Sequence, residues 1–123
     1  MAITGPDFIA LQVRDLERAA AFYADVVGLT RAPFSPPHAV VFDTQPTFAV
    51  REPAPGVDLD SGQPGLGVAL WLHDPEAAAL HEKLVAAGAV IAQEPFEGPF
   101  GTTFVFQDPD GYLVTVHDRT TRG

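Results

Sequence analysis

The chain repeats itself at a spacing of 59 residues, and this restricts its folding more than any other feature. Residues 8–28 read FIALQVRDLERAAAFYADVVG, and residues 67–87 read GVALWLHDPEAAALHEKLVAA. Superposed, they agree at Ala10/Ala69, Leu11/Leu70, Asp15/Asp74, Glu17/Glu76, Ala19/Ala78, Ala20/Ala79 and Val26/Val85, seven of 21 positions. Abundant alanine accounts for some matches, but not for the Asp-x-Glu pair that follows a short apolar run in both halves. A half of about 60 residues buries little core alone, so the halves are expected to pack together or with another copy.

Each half opens on a strand, at 8–13 and 67–72, short apolar runs suited to burial on both faces. Asp15 and Asp74 then stand at helix N-cap positions, and Pro75 suits a first helical position. Leu16, Ala19, Ala20, Tyr23, Val26 and Val27 form one apolar helical stripe. Ala77, Leu80, Leu84 and Val85 form the other. Gly28 and Gly88 end the helices. Three strands are expected after each helix, near 29–33, 39–43 and 47–52, and near 89–94, 102–107 and 112–118. Asp108-Pro109-Asp110-Gly111 marks a tight turn before the last of them. The predicted architecture is α+β: two paired strand–helix–strand–strand–strand modules forming a curved mixed sheet around a cup. One domain spans 1–123, with module one at about 5–53, a Pro- and Gly-rich linker at about 54–65 and module two at about 66–119.

Composition removes several classes of function. Sixteen acidic residues against seven basic give a net charge of −9, so the basic stripe that nucleic acid requires is missing. An anionic membrane surface would repel the chain, and no apolar run approaches the ~20 residues of a membrane span. With no cysteine there is no disulfide framework, thiolate metal site or cysteine nucleophile. No basic stretch leads into an apolar segment at the N-terminus, so a cytoplasmic protein is expected. Ser35 and Ser61 lack a nucleophile-elbow context, and the glycines of 62–67 lack the Lys-Ser/Thr of a phosphate loop.

Two stretches carry a resemblance. Val13-Arg14-Asp15-Leu16-Glu17-Arg18-Ala19-Ala20-Ala21-Phe22-Tyr23, followed by Val27-Gly28-Leu29, resembles the opening strand and helix of the vicinal oxygen chelate superfamily, also called the glyoxalase/bleomycin resistance/dioxygenase family. Phe106-Gln107-Asp108-Pro109-Asp110-Gly111-Tyr112-Leu113 resembles its final hairpin. The resemblance implies paired modules around a ligand-binding cup. In metal-dependent members it also implies His, Glu or Gln ligands on the opening and last strands of each module. Those positions fall here on Phe8, Gly67 and Thr115, and on or near Ala49. A catalytic zinc or iron generally takes about three nitrogen or carboxylate ligands, so no metal and no cofactor are expected. Outside that pattern, His117 with His38 or Glu52 is the one conceivable pair.

Period-two alternation places Ile9, Leu11, Val13, Val68, Leu70, Leu72, Val114 and Val116 against the helices. Phe8, Trp71, Thr115 and His117 then fall on the opposite face, which the resemblance makes the cup. Phe48 and Phe100 are candidates to join it, and His38 is a further one. Trp71, the Gly98-Pro99-Phe100-Gly101 loop and the Asp-Pro-x-Gly turn follow one another as in the metal-free antibiotic-binding members. The expected function is binding and sequestration of an aromatic or cationic, antibiotic-like small molecule by a homodimer. The alternative is a lyase, isomerase or dioxygenase of the same fold with a non-standard site.

Overall fold

A computed structural model describes residues 2–121. They form two compact units that divide between Ser61 and Gly62, inside the segment expected as linker. The first unit runs β1 (Phe8–Gln12), α1 (Leu16–Ala21) with a π-helical continuation (Phe22–Val27), β2 (Ala39–Phe42) and β3 (Thr47–Arg51). The second runs β4 (Leu70–His73), α2 (Ala77–Ala86), β5 (Val90–Gly98), β6 (Gly101–Gln107) and β7 (Leu113–His117). Each unit carries its own mixed sheet, ordered β1-β3-β2 and β4-β7-β6-β5. In each, the strand before the helix lies parallel to the last strand of the unit, and the remaining pairs are antiparallel. Neither sheet closes into a barrel. The α+β architecture is the one predicted.

Local chemistry accounts for most boundaries. Asp15 caps α1, its Oδ1 accepting the Arg18 N–H at 3.1 Å. Gly28 ends the π-helical segment at φ 94°, a left-handed conformation that L side chains rarely adopt. Asp74, expected as the second cap, lies earlier than that: α2 starts at Ala77, and Asp74 Oδ1 accepts the Glu76 N–H in the turn before it. Pro95 lies in β5, an edge strand whose register with β6 shifts between Gln93 and Phe96. A proline has no N–H to give the ladder and is tolerated there. Residues 29–33 do not form the strand expected of them. They meet β2 through a single bridge, Arg31 to Phe42, before Pro33, Pro36 and Pro37 end regular pairing.

The two cores are built alike. In the first unit Tyr23 packs edge-on against Phe48, centroids 5.1 Å apart, and Phe48 stacks on Phe42 at 5.9 Å. Val13, Ala19, Ala20 and Val50 are fully buried in the same unit. In the second, α2 buries Ala77, Leu80 and Leu84, while Phe104, Phe106, Val114 and Val116 are fully buried in the strands. Val85, expected in the α2 stripe, is exposed instead. Among the described residues no helix is long and apolar enough to cross a membrane.

Candidate functional site

The register of the second sheet decides which side chains share a face. Trp71 lies beside Thr115, and His73 beside His117, across the parallel β4–β7 pair. Thr103 and Val105 of β6 face His117 and Thr115 in turn. Because side chains alternate along a strand, Trp71, His73, Thr115 and His117 occupy one face. Leu70, Leu72, Val114, Val116, Phe104 and Phe106 occupy the other. That second face is the one under α2, since His81 of the helix packs edge-on against Phe104 at 5.3 Å. The outward face therefore carries an aromatic group. The Trp71 ring lies 5.5 Å from His117 and 6.3 Å from Phe100, Phe100 lies 5.9 Å from His117, and His73 lies 5.7 Å from His117. Trp71 is 46% exposed, whereas His117 is 4% exposed.

Main-chain bonds hold this group in place. Phe100 occupies the two-residue loop between β5 and β6, where Gly98 pairs with Gly101. The Phe100 carbonyl accepts the Arg119 N–H at 3.0 Å, and the Arg119 carbonyl accepts from His117 Nδ1 at 2.8 Å. One residue's backbone thus ties the Phe100 main chain and the His117 ring to the chain leaving β7. The Asp118 carboxylate accepts the Thr102 N–H at 3.0 Å across Gly101. Gly101 has φ 85°, and a Cβ there would overlap Asp118 Oδ1, so glycine is required. The Asp74 N–H donates to the His117 carbonyl at 3.0 Å and fixes the end of β7 from the other side.

Of the residues predicted for a site, the second unit brings Trp71, Phe100, Thr115 and His117 together. The first unit holds the other three. Phe8 is exposed on the face of β1 shared with Ala10 and Gln12, opposite the helix. Phe48 lies on the helix-covered face, where Tyr23 and Phe42 pack on it, and not beside Phe8. His38 adopts φ 67° and places Nδ1 2.7 Å from Glu52 Oε2, both side chains being exposed. In the same unit Asp60 Oδ1 accepts from Arg14 Nε at 2.8 Å, and the Asp60 N–H donates to Asp58 Oδ1 at 2.9 Å. Sequence reasoning missed His73, although its position two residues after Trp71 on a strand places it on the same face. It also missed Arg119, whose part is played by main-chain atoms that leave no trace in residue type.

The positions at which the resemblance implies metal ligands can be read from the register. Thr115 pairs with Trp71 in parallel, and the position 59 residues before Trp71 is Gln12, which pairs with Arg51. The equivalent of Thr115 in the first unit is therefore Arg51, two residues from Ala49, within the one- or two-residue margin of the expectation and on the same strand face. A phenyl ring at Phe8, no side chain at Gly67, a hydroxyl at Thr115 and a guanidinium at Arg51 do not make a donor set for a divalent cation. Among the described residues no three His, Asp or Glu side chains gather as a metal-holding group.

Comparison with known proteins adds a context for this geometry. The family model described as the glyoxalase/bleomycin resistance protein/dioxygenase superfamily matches residues 5–116. No curated protein sequence matches the chain. Among solved structures, an antibiotic binding protein from Streptomyces sp. CB03234, TnmS3, is similar with a TM-score of 0.77 and 23% identity, covering 98% of this chain and 99% of its own. A glyoxalase/dioxygenase from Nostoc punctiforme is similar with a TM-score of 0.75 and 19% identity, covering 95% and 92%. A glyoxalase/bleomycin resistance protein from Streptomyces sp. CB03234 follows with 0.71 and 22%, covering 90% and 97%. At these identities the likeness is one of fold.

Proposed function

The chain belongs to the glyoxalase/bleomycin resistance protein/dioxygenase superfamily, and from that premise we propose that it binds a planar aromatic, antibiotic-like small molecule and sequesters it unchanged. The observation that carries the reading is the half-exposed Trp71, standing with Phe100 and His117 on the face of the second sheet opposite α2. An indole offered in this way stacks on flat ligands, and its quadrupole attracts cationic ones. The excess of acidic residues favours a neutral or cationic ligand over an anionic one. The fold shared with an antibiotic binding protein is consistent with this use. The residues at Phe8, Gly67, Thr115 and Arg51 favour binding without metal chemistry.

The test is a titration of tryptophan emission with a panel of planar aromatic antibiotics, neutral and cationic, with mass analysis of the recovered ligand. Trp71 is the chain's only tryptophan, so its signal is unambiguous. Saturable quenching with the ligand recovered intact is expected. Emission unchanged by every compound would overturn the reading, and a chemically altered ligand would favour an enzyme.

We further infer that the protein acts as a homodimer. Within its own sheet, each unit leaves two edge strands, β1 and β2 in the first and β4 and β5 in the second. Unpaired edges invite pairing with another chain unless they are covered.

A further inference from the structure

We propose that His117 is the polar anchor of this aromatic surface: its Nε2 accepts a hydrogen bond from a phenolic hydroxyl, and hydroxylated aromatics are the ligand class. The proposal rests on the aromatic-binding reading above and narrows it. His117 Nδ1 lies 2.8 Å from the Arg119 carbonyl oxygen. A carbonyl oxygen only accepts, so Nδ1 carries a proton. In the neutral ring Nε2 then holds the lone pair and is an acceptor. The same bond keeps the ring from turning over, because a flipped ring would point a carbon at Arg119.

Nε2 itself makes no hydrogen bond among the described residues. Yet no fully buried side-chain nitrogen or oxygen among them lacks a partner, so this atom keeps some contact with solvent although the residue as a whole is 4% exposed. The His117 ring stands among Trp71, Phe100 and His73, its centroid 5.5, 5.9 and 5.7 Å from theirs. A flat ligand lying on Trp71 and Phe100 would strip the water from Nε2. If the ligand carries an O–H there, the lost water is replaced. If it carries a methyl ether, the acceptor is left dry and unpaired. Such a site discriminates by the cost of the unpaired group more than by the strength of the bond. Thr115 offers a hydroxyl on the same face, so the experiment must report on the imidazole itself.

β-Naphthol and its O-methyl ether share one planar ring system and differ only in the donor. The measurements are calorimetric affinities and ¹⁵N shifts of the His117 ring, taken above the ordinary histidine titration range. Expected in the free protein are a protonated Nδ1 and an unprotonated Nε2. β-Naphthol should move the Nε2 signal upfield, the ether should leave it in place, and β-naphthol should bind about tenfold more tightly. In His117→Phe the two compounds should bind alike. Equal affinities in the unaltered protein, or a free Nε2 that is protonated while Nδ1 is not, would overturn the anchor. Saturable binding of both compounds would then leave the aromatic-binding reading standing. No binding of either compound would overturn the anchor, and emission also unchanged by the whole antibiotic panel would overturn both. The wild-type comparison decides the matter even if His117→Phe does not fold.

Discussion

At the scale of single residues, Trp71 and Leu84 predict opposite signatures. Trp71 is half exposed on the face of the second sheet opposite α2, whereas Leu84 is fully buried on α2. Trp71→Ala should weaken aromatic ligands by roughly 1–3 kcal/mol, as the loss of a central contact does. Its melting temperature should stay near that of the unaltered protein. Leu84→Ala should cost about 2–5 kcal/mol of stability through the cavity it leaves. Thermal melts run beside ligand titrations check both, and a sharp fall in melting temperature for Trp71→Ala would make Trp71 a packing residue. Phe48 shows why aromatic type alone does not separate these cases. It sits in a short strand as Trp71 does, yet its position opposite Ile9 and Phe42 puts it under the helix.

At the scale of elements, the β5–β6 hairpin is the part of the second unit whose shape most affects the site. Its loop presents Phe100, and Asp118 and Arg119 clasp it from the chain leaving β7. Gly101→Ala would set a Cβ against Asp118 Oδ1 in a left-handed backbone, so the carboxylate must leave the Thr102 N–H. A loss of about 1–3 kcal/mol in stability is expected from the strained backbone, together with weaker aromatic binding as Phe100 shifts. Chemical denaturation and emission titration measure the two effects separately. If neither changed, the clasp would not be what positions Phe100. The strands and helices themselves were legible because their apolar periodicity and caps are local. The lost strand at 29–33 was not, since its pairing depends on an edge of β2 that three nearby prolines leave mostly unused.

At the scale of the whole molecule, two properties follow from the proposed function. Light scattering at micromolar concentration should give a dimer, about twice the 13.1 kDa of the chain. A monomer would count against the homodimer and would require the edge strands to be covered within one chain. Elemental analysis of purified protein should find no stoichiometric zinc, iron, manganese or nickel, given Phe8, Gly67, Thr115 and Arg51 at the positions where relatives are expected to place ligands. A tightly held stoichiometric metal would overturn that expectation and direct attention to His38 and Glu52, which already share a 2.7 Å contact.

The repeat, the Asp15 cap, the tight turn and the alternation along each strand are properties of neighbouring residues, and the sequence by itself determined them. From these followed the α+β class and the placing of Trp71, Thr115 and His117 on one side of a strand pair, while Val68, expected against the helix, precedes β4 and is exposed. Tertiary structure decided what depends on register between distant segments. It matched Thr115 to Trp71 and Arg51 to Gln12, which fixes at Arg51 the counterpart expected on or near Ala49. It put Phe48 under α1, and Phe104 and Phe106 under α2. It brought the Phe100 carbonyl and the His117 ring to the N–H and C=O of one residue, Arg119, and left His117 Nε2 without a hydrogen bond among the described residues. Side-chain periodicity shows which way a residue points, but only the pairing of strands, fixed by backbone hydrogen bonds across tens of residues, shows what it points beside.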